Sequence, residues 1–123
     1  MLHREKEIAT NLIRSALARG WRVSVRDGIE HEGRFVISSS TDFQKIFNAL
    51  ETTGYDGLYF NNGETGLLMG VVYLIWGNDD DIIYDCSPSL DIDEDGCIAS
   101  SSPNYDPFGK YIGAPRQESG WTA

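Results

Sequence analysis

Ten consecutive residues without a charge, Leu67 to Trp76 (LLMGVVYLIW), constrain this chain more than any other stretch. The run is far shorter than the ~20 residues a bilayer crossing needs. It is rich in β-branched and aromatic side chains, which suit a pleated surface. A strand apolar at nearly every position must be covered on both faces, so it belongs inside a sheet.

The flanking sequence supplies the rest of such a fold. Ile8, Leu12, Ile13, Ala16 and Leu17 recur at helical spacing, and Gly20 stands where a C′ glycine would end the pattern. This predicts an amphipathic helix over residues 3–19, with Arg4, Asn11, Arg14 and Ser15 toward solvent. Trp21 to Arg26 alternates with period two, Asp27-Gly28 signals a turn, and Arg34 to Ser38 reads as the returning strand. In SSSTDFQKIFNAL, Thr41 or Asp42 can cap a second helix, with Gln44 completing a capping box with Thr41. Phe43, Ile46, Phe47 and Leu50 then share one face until Gly54. Leu58 to Phe60 is a short strand, Asn61 to Glu64 a hairpin turn, and Ile82 to Cys86 the last clear strand.

The expected class is therefore α+β, in the order α-β-β-α-β-β-β. It comprises an antiparallel sheet of about five strands with two helices on one face. Ser, Pro, Asn, Asp and Gly dominate from residue 87, so an irregular C-terminal segment is expected. A single α+β domain over residues 1–90 would precede an acidic loop and loosely held tail over 91–123. The first twenty residues are charged from residue 3 and lack the apolar run of a signal peptide, which predicts a cytoplasmic protein. Cys86 and Cys97 have neither a C-x-x-C partner nor paired histidines, so they read as free thiols rather than a zinc site.

Charge is divided sharply along the chain. Residues 1–45 hold eight Lys and Arg against six acids, whereas Ile46 to Gly109 holds twelve acids and no Lys or Arg. Nine of those acids fall between Asp79 and Asp106. Such a segment repels phosphate, which excludes nucleic-acid binding by this half, and it attracts basic surfaces or cations.

The densest part, DIDEDG at residues 91–96, matches the start of an EF-hand loop. Asp91, Asp93 and Asp95 take positions 1, 3 and 5, Gly96 takes 6, and Ile98 takes 8. Position 12 is Ser102 where a bidentate Glu belongs, and neither flank resembles a helix. The expectation is a solvent-exposed acidic loop with no ordered metal, weak calcium binding through Asp91, Asp93, Asp95 and Ser102 being the alternative.

No catalytic signature is present: there is no G-x-S-x-G, no Gly-rich phosphate loop and no H-E-x-x-H. A thiol–imidazole pair with His31 would place its cysteine among aspartates, which oppose thiolate formation. Asp79, Asp80 and Asp81 could hold Mg²⁺, but carboxylates in a turn are more simply solvated. The chain is expected to be neither an enzyme nor a cofactor binder.

Asp27-Gly28, Ser40-Thr41-Asp42, the run from Tyr73 to Asp79 ending Trp76-Gly77-Asn78-Asp79, and Asp85 with Ser87 carry a resemblance over residues 20–90. The chain resembles small acidic accessory proteins encoded by phages, prophages and plasmids of proteobacteria. No residue role carries over. The resemblance implies a context in which small acidic proteins block host defence by occupying a nucleic-acid-binding surface. The expected function is thus a non-enzymatic inhibitor of the anti-CRISPR or anti-restriction type, a DNA mimic facing a basic protein surface. An immunity protein or other acidic binding module is the alternative. Its contact residues would be Asp79, Asp80, Asp81, Asp85, Asp91, Asp93, Glu94 and Asp95, with Trp76 and Tyr84 as aromatic anchors or, for those two, plain core packing.

Overall fold

The computed structural model describes residues 1–28, 34–51 and 54–101. Helix α1 (His3–Ala18) buries Ile8, Ala9, Leu12, Ile13 and Ala16 along one stripe. It ends at Arg19, followed by Gly20 at φ 79°. Five strands follow: β1 (Trp21–Asp27), β2 (Arg34–Ser40), β3 (Tyr55–Asn62), β4 (Leu68–Ile75) and β5 (Ile83–Cys86). They form one sheet in the order β2-β1-β3-β4-β5, antiparallel at every junction. The α+β class and the element order agree with expectation, and the apolar run is interior, as β4 between β3 and β5.

Alternation along these strands builds the core. Val23 lies opposite Phe60, Val25 opposite Leu58, and Leu58 opposite Val72, all fully buried. They share one cluster with Ile8, Leu12 and Ile13 of α1 and with Ile46. Each such side chain contributes about 1.5–3 kcal/mol through burial. Strand β2 slips register twice against β1, with Ser39 at φ 48°, and leaves Phe35 and Val36 exposed. Such bulges blunt an edge against further pairing.

Helix α2 (Phe43–Asn48) is shorter than its sequence pattern suggests. Asp42, not Thr41, caps it: Asp42 Oδ1 accepts from the N–H groups of Gln44 and Lys45 at 3.0 and 3.3 Å. The helix stops well before Gly54 because the chain tightens, Leu50 N–H donating to the Phe47 carbonyl, and Glu51 then turns left-handed at φ 62°.

The clearest departure from expectation lies after Pro88. Strands β6 (Leu90–Ile92) and β7 (Ile98–Ser101) pair as an antiparallel hairpin where an irregular segment is predicted. Leu90 and Ile98 belong to the core cluster, so residues 90–101 are part of the packed fold. The tail beyond Ser101, including Ser102, and His31 lie outside the described residues. Among those described, no helix is long and apolar enough to cross a membrane.

Candidate functional site

The acidic residues singled out above sit mainly in two turns, and consecutive residues of α1 hold both. The first turn joins β4 to β5. Gly77 adopts φ 98° and Asp79 φ 59°, so the peptide N–H groups of residues 77, 78 and 79 point inward together. All three donate to Glu5 Oε2, at 2.6, 2.8 and 3.0 Å. Successive N–H groups curled around an anion form a nest, and here the anion is a side chain. Glu5 Oε1 meanwhile accepts from Leu2 N–H at 2.9 Å, the N3-to-N-cap half of a capping box. Glu5 is fully buried. Burial alone would raise its carboxyl, but four backbone donors outweigh that and hold it below the ordinary value.

The second turn is the DIDEDG stretch, and it joins β6 to β7. Asp93 Oδ1 accepts from the N–H groups of Asp95 and Cys97, both at 2.9 Å, and Gly96 N–H closes onto the Asp93 carbonyl at 3.0 Å. Gly96 takes φ 88° as the hairpin bends, and a Cβ there would lie 2.5 Å from the Ile8 carbonyl oxygen. Arg4 then reaches across from α1, donating to Asp95 Oδ1 at 2.7 Å and to the Glu94 carbonyl at 3.2 Å. Asn11 donates to the Asp95 carbonyl at 2.9 Å. On the far side, Arg19 donates to the carbonyls of Ile98 and Ala99, and Ile98 N–H donates to the Ser15 hydroxyl.

This geometry redefines the calcium-like motif. Asp93 is the turn's own hydrogen-bond acceptor, Asp95 is paired with Arg4, and Asp91 lies exposed on β6, so the three carboxylates are put to different uses. Among the described residues no group of three or more His, Cys, Asp or Glu converges as a metal site would. The spacing that mimics an EF-hand is, in this fold, the spacing of a tight hairpin.

The expected contact residues divide accordingly. Asp79, Asp80, Asp81, Asp85, Asp91, Asp93, Glu94 and Asp95 are all exposed. Of these only Asp95 makes an ion pair among the described residues. Tyr84 is 62% exposed on edge strand β5. Trp76 is instead half-buried against the core, and its indole N–H donates to Asp56 at 2.7 Å. Cys86 and Cys97 are both free. Burial, and then Asp85, push the Cys86 thiol up; burial, Asp93 and Asp95 do the same to Cys97.

Two carboxylates that matter to the site escape sequence reasoning. Glu5 reads as one more polar residue of an amphipathic helix, although its N3 position carries a signal. Asp56 falls between Gly54 and the strand expected from Leu58, with no reading of its own. It is in fact buried beneath Trp76, accepting there and from Glu51 N–H at 2.7 Å, with its other oxygen unpartnered. Burial, despite these two donors, raises its carboxyl to about 6, and the charges of Asp27 and Glu51 add to the effect.

The chain matches no protein-family profile, no curated protein and no solved structure.

Proposed function

We propose that this protein is a non-enzymatic inhibitor carried by a mobile element, of the anti-CRISPR or anti-restriction type. It offers its acidic face to the basic, nucleic-acid-binding surface of a host defence complex in the cytoplasm. One observation carries this reading: two acidic turns, both more than seventy residues along the chain from Arg4 and Glu5, are tethered to that pair in a single helical turn. Carboxylates held in place before binding need not be ordered during it, which lowers the entropic cost of association. Among the described residues, Asp79, Asp80, Asp81, Asp91 and Glu94 have no internal cation to compete with a partner. In this reading both helices cover the sheet face that carries Val23, Leu58 and Val72, and the acidic turns form the rim beside α1.

Capture from a lysate of a proteobacterial host tests the proposal, with and without excess duplex DNA as competitor. The expected partner is a nucleic-acid-binding component of a CRISPR or restriction complex, displaced by DNA and by salt. It should be lost when Asp79, Asp80 and Asp81 are changed together to Lys. Recovery of a nuclease toxin instead would identify an immunity protein. Capture that survives the charge reversal at low salt would remove the acidic turn from the interface.

A further inference from the structure

The sheet face away from Val23, Leu58 and Val72 carries a different kind of feature. Arg26, Gly57, Tyr73 and Asp85 are successive register partners across β1, β3, β4 and β5, so they project from the same face. Gly57 contributes no side chain, and two rings lie over it: a Cβ there would be 3.1 Å from Tyr59 Cε1 and 3.2 Å from Tyr73 Cε1. The rings meet edge to face at 6.4 Å, with their hydroxyls 3.3 Å apart, and each therefore fixes the other. Beside them opens a cleft of about 330 Å³. Val71 lines it together with Tyr59 and Tyr73, and Asp85, Cys86, Ser87 and Pro88 complete the lining.

The polar groups of this cleft are mostly spent. The Ser87 hydroxyl accepts Val71 N–H at 2.9 Å, and the two tyrosine hydroxyls face each other. The Asp85 carboxylate is exposed and makes no ion pair among the described residues; one oxygen accepts Cys86 N–H at 2.9 Å, which orients it. Arg26 stands beyond Tyr59, 3.5 Å from its hydroxyl and 5.8 Å from the centre of the Phe35 ring. Strands β3 to β5, which build the cleft, contain no Lys or Arg. The volume suits one side chain better than a cofactor, since drug-sized sites begin at roughly 300 Å³ and extend to several times that.

We infer that this cleft receives a cationic side chain, arginine or lysine, of the partner protein. Its aliphatic stem packs on Val71 and Pro88, and its charge meets Asp85 and the tyrosine rings. A cation over an aromatic face beside a carboxylate gains from both the ring quadrupole and the opposite charge. Asp85 on β5 lies four residues beyond Asp81, at most roughly 13 Å of extended chain. One basic surface can therefore engage the acidic turn and place a side chain in the cleft. The inference rests on the proposed basic partner, but it concerns different residues.

Nuclear magnetic resonance titration of the full chain with Nα-acetyl-arginine amide, and with its neutral citrulline counterpart, tests it. Arginine is expected to shift the signals of Tyr59, Tyr73, Asp85 and Ser87, and citrulline is not. Asp85→Asn should weaken arginine about three- to five-fold, while the triple Asp79, Asp80, Asp81 to Lys variant should leave these shifts in place. Tyr73→Phe, which keeps the ring, should still bind. Equal shifts from citrulline, or arginine shifts confined to residues 79–81 and 91–95, would overturn the inference. Arginine in the cleft without capture of any basic partner would support the cleft and sink the proposed function. Partner capture that depends on Asp79–Asp81 and is indifferent to Asp85→Asn would do the reverse.

Discussion

In the turn between β4 and β5, backbone N–H groups converge on a carboxylate brought from α1; in the turn between β6 and β7, the carboxylate belongs to the turn itself. Both display aspartates, yet they depend on the rest of the molecule in different ways. Glu5 is buried, so water is a poor substitute for it as the acceptor of its four donors. Asp93 is exposed, and water can take over from it. Arg4 and Asp95, 30% and 55% exposed, add a link that solvent screens. The lesson is that burial, more than the number of bonds, decides which tether holds the acidic face together.

Glu5→Ala should break that comparison most severely. It strands three adjacent N–H groups in a water-poor site, and chemical denaturation should report a loss of about 3–5 kcal/mol. A loss below about 1 kcal/mol would mean that water enters the nest readily and that the two turns are equivalent after all.

Next in size is Gly96→Ala. A methyl group at φ 88° and 2.5 Å from the Ile8 carbonyl oxygen forces the hairpin off α1. We expect a cost of about 3 kcal/mol. Amide exchange should show the loss concentrated in residues 90–101, with the five-stranded sheet retained; uniform loss would show that the hairpin is not a separable unit.

The two buried carboxylates give the comparison a pH axis. Glu5 is held below its ordinary value, so its contribution is fully present above that ordinary value and is lost as pH falls from there through the lowered one. Asp56 is raised from 3.8 to about 6, which works in the opposite sense. It favours the fold while protonated, and that advantage disappears as pH rises from about 4 to 6. Asp56→Asn should therefore stabilise the protein near pH 7.5 by about 2 kcal/mol, somewhat less than the full shift implies because the new amide needs a partner. Near pH 4 the gain should vanish; an equal gain at both values would show that folding does not shift the Asp56 carboxyl.

Arg4→Ala is the smallest expected effect. Its midpoint shift should be barely measurable at low salt and absent at high salt. A salt-insensitive loss would show that the Arg4 tether matters as much as the nest.

Much of this architecture is readable from local pattern. The helical spacing from Ile8 to Leu17, the alternation from Trp21 to Arg26 and the unbroken apolar run of β4 each state their own geometry, because 3.6- and 2-residue periods place apolar atoms on one side of a helix or strand. Asp42 as a cap is legible for the same reason: its acceptor meets donors two and three residues away. The β6–β7 hairpin is not. Its strands have three and four residues, and what holds them comes from Ser15, Arg19 and the Ile8 backbone more than 75 positions earlier. Nor is the division of labour among the carboxylates.

Composition by itself established a mid-chain segment of twelve acids without a single Lys or Arg. Tertiary structure alone decided that Glu5 would be consumed as an internal acceptor, Asp95 paired with Arg4, and Asp79, Asp80, Asp81, Asp85, Asp91 and Glu94 left, among the described residues, without an ion pair. The physical reason is that a charge is available to a partner only where the fold leaves it solvated and unpaired. Pairing across seventy or ninety residues depends on where the backbone goes, not on which residue stands next in line.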